Sequence, residues 1–211
     1  EQRRVGVTIE QARPMLTPVP LPLIRYMRQS ASRLGTAKAR VERSRDIALF
    51  GTAFHTAQRG FDLSCALAAQ VLSLPGGKGL IFNFHFGKTL RDSSLAIVAR
   101  RDRACHELCP VRAVQVFAIV ANSMGWQLRE GYMFPKFEAG GSRSRSPWNP
   151  KDMALALQSN VAAAGLEEGR KYSMHYFRIG GAVSQAFTGT AVDAPMGLVG
   201  WKTRGVAQRY V

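Results

Sequence analysis

Acidic side chains are scarce in this chain: 14 Asp and Glu stand against 29 Lys and Arg, a formal charge of +15 over 211 residues. A field of that sign exceeds what solubility asks and favours phosphate-rich partners, nucleic acid first. Cysteine is sparse too. Cys65, Cys105 and Cys109 make an odd count, which does not read as a disulfide framework and suits a reducing, intracellular compartment. No uninterrupted apolar run approaches the roughly 20 residues that span a bilayer. The opening stretch EQRRVGVTIE has no apolar signal core, so neither a membrane partner nor export is expected. No initiator Met heads the chain, which leads us to expect a fragment, and there is no internal repeat. Apolar residues, by contrast, are abundant. At 46% hydrophobic content the chain can bury a substantial core, as one domain or as a domain with an appended arm. Basic ribosomal or chromatin tails tend to be poor in such residues, whereas Phe and Leu run throughout this chain, so its charge belongs to a folded surface.

Pro14, Pro18, Pro20 and Pro22 punctuate the first residues, which read as a leading arm over 1–22, with the folded domain over 23–211. LIRYMRQSASRLG and ERSRDIALFGTAFHTAQRG read as core-facing helices, the second placing Ile47, Phe50 and Phe54 on one face. DLSCALAAQVLSL also reads as helix, and PGGKG as a turn. FNFHF alternates strictly, and with the apolar run SLAIV it predicts a hairpin whose loop carries Lys88. PVRAVQVFAIVANSMG and KDMALALQSNVAAAG predict two further helices, separated by GGSRSRSPWNP, a basic, flexible linker expected to be disordered when free of DNA. The expected fold class is α+β, mainly helical, with one small antiparallel sheet.

Two short motifs mislead. GKT at Gly87–Thr89 lacks the glycine that a phosphate loop needs five positions before Gly87, where Phe82 stands, and a strand rather than a helix follows. CHELC offers Cys105, His106 and Cys109 but no second pair at matching spacing, and reads better as small residues at a helix start than as a zinc site. No cofactor and no metal are expected. YSMHYFRIGGAVSQAFTG is more informative: Ser173 can cap a helix whose apolar stripe is Tyr176, Ile179, Val183 and Phe187. His175 and Arg178, three apart, are neighbours near its first turn, where free N–H groups and the helix dipole favour an anion. They are either a phosphate site or a capping histidine beside a surface arginine. Arg59 is either a functional cation or a helix C-terminal charge. Lys88 is by default a solvated charge, Trp201 a core side chain, and Tyr210 either the aromatic of a last helical turn or a reactive phenol.

The order of these residues narrows the alternatives. Arg59 follows a core helix with Asp62 three residues later; Lys88 sits in a hairpin loop; His175 and Arg178 share a helix; Trp201 follows GLVG; Tyr210 lies nine residues beyond it. That order resembles the catalytic domain of the tyrosine recombinases, the phage-integrase family, from about Arg45 to the end of the chain. HYFRIGGA and GLVGW look most like the recombinases of eukaryotic mobile elements, the Crypton and DIRS-like groups, and CPVRAV is similar to a segment in those proteins.

The resemblance implies catalytic roles for Arg59, Lys88, His175, Arg178, Trp201 and Tyr210. Tyr210 would attack phosphorus to give a 3'-phosphotyrosyl link, Lys88 would protonate the leaving 5'-oxygen, and His175 would accept or shuttle the nucleophile's proton. It also implies a double-stranded DNA partner, a monomer when free, a homodimer or homotetramer on DNA, and a nuclear location for a eukaryotic mobile element. Trp201 stands where most members carry His, and TAQRG replaces the commoner Thr-Gly-hydrophobic-Arg. The first 40 residues are too few for the helical clamp domain that usually precedes the catalytic one, and the chain stops at Val211, where most members continue into a helix that docks on a neighbour. The expectation is a chain lacking the core-binding domain and not synapsing DNA alone. It is also an expectation that Tyr210 is displaced from the phosphate site in a DNA-free structure. A type IB topoisomerase-like nicking and resealing enzyme and a domesticated, non-catalytic DNA-binding domain are the alternatives.

Overall fold

The computed structural model of the chain describes residues 19–85, 95–166 and 172–187, with residues 186 and 187 described by backbone alone. Its architecture is arranged around one long helix, α2 (Ala37–Thr56), which Thr36 caps by accepting the Ala39 N–H at 3.1 Å. The expected apolar face is real, since Ile47, Phe50 and Phe54 are all buried, together with Val41, Leu49 and Ala53. Three helices pack on it: α1 (Pro20–Ala31), α4 (Pro110–Ser123) and α6 (Met174–Phe187). In chain order the short α3 (Gly60–Ser64) comes between α2 and the sheet, and α5 (Pro150–Ala163) packs against α3 and α6.

Two of the prolines read as breakers lie inside α1, which begins at Pro20 rather than after Pro22. The first turn of a helix has no intrahelical partner for its N–H groups, so proline costs nothing there and its fixed φ suits the helix.

The sheet is antiparallel in the order β1 (Val71–Ser73), β2 (Gly79–Phe84), β3 (Leu95–Arg100). The hairpin read from FNFHF and SLAIV is present, with Phe82 opposite Ile97 and Phe84 opposite Leu95. Alternation does what it implied: Leu80, Phe82 and Phe84 are buried on one face of β2. β1 corrects the sequence reading, which placed DLSCALAAQVLSL in a helix. That helix ends at Ser64 because the following backbone is captured elsewhere: Ala68 N–H donates to Gly131 O at 2.9 Å, and Met133 N–H to Ala66 O at 2.7 Å. Pairing with residues 131–133 outweighs the helical preference of the alanines, which tertiary contacts override, and the chain leaves that contact as a strand.

The segment GGSRSRSPWNP is a second correction, because it is packed rather than a free linker. Arg143 Nη1 donates to Gln127 O and Glu130 O, each at 3.1 Å, Ser144 N–H donates to Lys136 O at 2.8 Å, and Trp148 is buried. Trp148 lies over the guanidinium of Arg45 at 3.7 Å, with the Phe137 ring 5.2 Å away. The loop thus wraps a buried cation, which carries a favourable interaction with both ring faces.

α6 meets α2 unusually closely. Phe177 stacks on Phe50 at 5.3 Å between centroids, and Gly181 lies against the Phe54 backbone, where an added Cβ would overlap the carbonyl oxygen and stand 2.9 Å from its carbon. We expect Gly181→Ala to destabilise the fold by about 1–3 kcal/mol, since backbone cannot yield as a side-chain tip can. Chemical denaturation checks this; an unchanged midpoint would mean that α6 does not seat as closely as described.

Candidate active site

The site forms where α2 stops. Ala57 takes a left-handed conformation at φ 50°, which ends α2, and Gln58 turns inward with its Nε2 donating to Thr56 O at 3.1 Å. Arg59 therefore emerges just before α3 in extended backbone, half-buried, its carbonyl accepting from Leu63 N–H at 3.0 Å. It is not a helix C-terminal charge. Gly60 then packs directly on the first residue of α6: a Cβ there would stand 2.7 Å from the Met174 Cβ. That contact sets Arg59 beside the start of α6.

On α6, the Ser173 carbonyl accepts from Tyr176 N–H at 3.0 Å, and the stripe residues Ile179 and Val183 are buried. Phe187's side chain lies outside the described residues. His175 keeps a face to solvent, whereas Arg178 is only 4% exposed, so the reading of Arg178 as a surface arginine fails. Both ends of α6 are tied down by amides: Gln158 Nε2 donates to Tyr172 O just before it, and Gln185 Nε2 donates to His55 O near its end, each at 2.9 Å.

Electrostatics show that Arg59, His175 and Arg178 share one neighbourhood. Burial, then the Arg59 guanidinium, bring the Arg178 pKa down to about 10, with Asp62 opposing them. Arg178 stays charged at neutral pH, with Arg59 as a neighbouring cation and Asp62 as a countercharge. His175 is held below its ordinary value by partial burial first, then by Arg178 and Arg59. At neutral pH it is therefore a neutral imidazole, able to accept a proton. Falling pH protonates it only below its ordinary 6.5, and then adds a further positive charge to the cluster. We expect a His175 NMR titration midpoint below 6.5 that rises in Arg59→Gln; a midpoint at or above 6.5 in the free protein would contradict the clustering.

Asp62 is a countercharge to Arg178, a role that its place three residues after Arg59 did not display in the sequence. Gly60, Gly181 and Gln185 position the cluster and were missed; the paired glycines of IGGA, costly inside a helix, were the available signal. Lys88, Trp201 and Tyr210 lie outside the described residues, as do the GKT motif and the expectation about the position of Tyr210. Among the described residues, no group of His, Cys, Asp and Glu is placed to hold a metal, and no helix is long and apolar enough to cross a membrane.

No family model matches the sequence, and no curated protein matches it. Solved structures do. The catalytic core of lambda integrase superposes with a TM-score of 0.57 at 16% identity, over 90% of this chain and 91% of that one. The fold is that of the tyrosine-recombinase catalytic domain. The XerH site-specific recombinase, in a post-cleavage complex with its palindromic difH substrate, matches with a TM-score of 0.65 at 11% identity, over 94% of this chain and 49% of that one. A lambda integrase tetramer bound to a Holliday junction matches with a TM-score of 0.58 at 14% identity, over 94% and 47%. This chain spans about half the length of those longer recombinases and nearly all of the separate catalytic core.

Proposed function

We propose that this chain is the catalytic part of a site-specific tyrosine recombinase, which cuts and rejoins DNA through a 3'-phosphotyrosyl intermediate. The observation that carries the reading is the grouping of Arg59, His175 and a buried, charged Arg178 within this fold. A phosphodiester gains charge on its nonbridging oxygens in a five-coordinate transition state, and two planar guanidinium forks with a polar ring match that charge.

In the proposed step the Tyr210 oxygen bonds to phosphorus and the bond from phosphorus to the 5'-oxygen breaks. The phenolic proton passes to neutral His175, directly or through water, while Lys88 gives a proton to the leaving 5'-oxygen. Trp201 has only an indole N–H, so it donates to a nonbridging oxygen rather than exchanging protons. The phosphotyrosyl bond stores the energy of the broken linkage, so attack by another strand's 5'-hydroxyl reverses the step without a nucleotide cofactor.

The substrate in this reading is duplex DNA, with homodimers or homotetramers assembling on it, in line with the DNA-bound complexes of the similar structures. HYFRIGGA, GLVGW and CPVRAV support a recombinase of the Crypton or DIRS-like type from a mobile element, which would act in a nucleus. The test is incubation with nicked DNA duplexes whose short cleaved strand diffuses away, followed by denaturing electrophoresis. A protein–DNA adduct resistant to denaturation is expected; if the full-length protein on its own element's terminal sequences forms none, the enzymatic reading fails.

A further inference from the structure

A second concentration of positive charge lies away from the Arg59 cluster. A pocket of about 550 Å³ opens between α1, the turn before α4 and the first turn of α4, lined by Arg28, Arg103, Ala104, His106, Glu107 and Arg112. None of these residues belongs to the candidate active site. Among the described residues, Arg28 responds to Arg112, Glu107 and Cys109, whereas His175 responds to Arg178 and Arg59, and Arg178 to Arg59 and Asp62.

The single acid in the pocket is already engaged. Arg25 Nε and Nη2 both approach Glu107 Oε1 at 3.1 Å, and a hydrogen bond from its own backbone, then that pairing, hold its carboxyl below the usual range. Arg28 donates through Nη2 to the Glu107 carbonyl at 3.1 Å, but its Nε is buried and has no hydrogen-bond partner among the described residues. A buried donor without an acceptor is costly, and unlike an exposed lysine it cannot be dismissed as a solvated charge. Burial, then the nearby Arg112 guanidinium, lower the Arg28 pKa, which marks a cation set beside another cation with too little compensation. Arg103, His106 and Arg112 are exposed around the opening.

We propose that this pocket is an anion site that takes a phosphate group. Three guanidinium groups and an imidazole offer more donors, and more charge, than a carboxylate with two oxygens can use, whereas a phosphate presents several oxygens to guanidinium forks. The phosphate belongs either to a small free compound or to a DNA backbone, and the two sources are separable. The inference does not depend on Tyr210 chemistry, so its failure would leave adduct formation untouched.

The test follows the arginine Nε–H signals by NMR at near-physiological salt, which screens diffuse attraction. One titration uses inorganic pyrophosphate and another a short DNA duplex. The Arg28 signal is expected to move and saturate. In Arg103→Gln/Arg112→Gln, two exposed positions, half-saturation should rise about tenfold or more, while the responses of Arg59 and Arg178 persist. Movement with both probes assigns a general phosphate site, and movement with duplex alone assigns a backbone phosphate. An Arg28 signal that neither probe moves, or whose response the double variant leaves unchanged, overturns the proposal.

Discussion

Arg178→Ala is expected to lower the rate of covalent adduct formation by about 10²–10³-fold, the usual consequence of removing one fixed donor from a transition-state charge. The reason lies in where Arg178 sits. A guanidinium that is only 4% exposed, with the Arg59 charge beside it and Asp62 as countercharge, is held in place in advance, and in the proposed reaction it needs no reorganisation when charge develops on phosphorus. DNA affinity should change far less, because binding to a duplex spreads over many backbone contacts in a chain of charge +15. Arg178→Lys separates charge from geometry, since it keeps the positive end and loses the planar fork, and should retain only part of the rate. Circular dichroism of both variants guards against a misfolded α6. Unaffected cleavage in a folded Arg178→Ala protein would remove this arginine from the phosphate site.

The largest effect on stability is expected at Arg45. Its Nε and Nη2 donate to Asp46 Oδ1 at 3.0 and 2.7 Å, its Nη1 donates to Pro135 O at 2.8 Å, and both side chains of the pair are nearly inaccessible, at 6% and 9%. Arg45→Met leaves the Asp46 carboxylate buried without its partner, a situation that costs about 3–5 kcal/mol against a typical total stability of about 5–15 kcal/mol. The pH dependence has a definite sign. Burial already raises the Asp46 pKa, with Arg45 opposing that shift, so without Arg45 the carboxyl binds its proton more readily in the folded state. The folded state then holds more protons than the unfolded one at pH values between the unfolded and the raised folded pKa. The loss in Arg45→Met should therefore be greatest above the folded pKa and shrink as pH falls through it. Asp46→Asn in the same background should restore part of the stability at neutral pH. A denaturation midpoint in Arg45→Met close to that of wild type would show that the pair and its aromatic cover contribute little.

The sequence was most legible where periodicity and burial coincide. The stripe Ile47, Phe50, Phe54 and the alternation of FNFHF located a central helix and a central strand, because each pattern has one structural reading once a core must be covered. It was least legible where distant backbone decides. Nothing local to Ala66 or Ala68 says that they pair with residues 131–133, and the serines and arginines of GGSRSRSPWNP hide the fact that Arg143 and Trp148 anchor it. At the candidate site, the spacing of His175 and Arg178 showed in advance that they share a helix, and the structure sets Arg59 beside them. The parts that make the grouping work, the Gly60 contact with Met174 and the Gly181 contact with Phe54, are close approaches that only tertiary structure displays.

The proposed intermediate is a phenol bonded to DNA phosphorus, and the most direct measurement is the identity of the amino acid in the adduct. Covalent complex trapped on a nicked substrate, digested with nuclease and protease and analysed by mass spectrometry, should show the nucleotide on Tyr210 alone, with no adduct in Tyr210→Phe. A nucleotide carried by any other residue, or an adduct that persists in Tyr210→Phe, would contradict it.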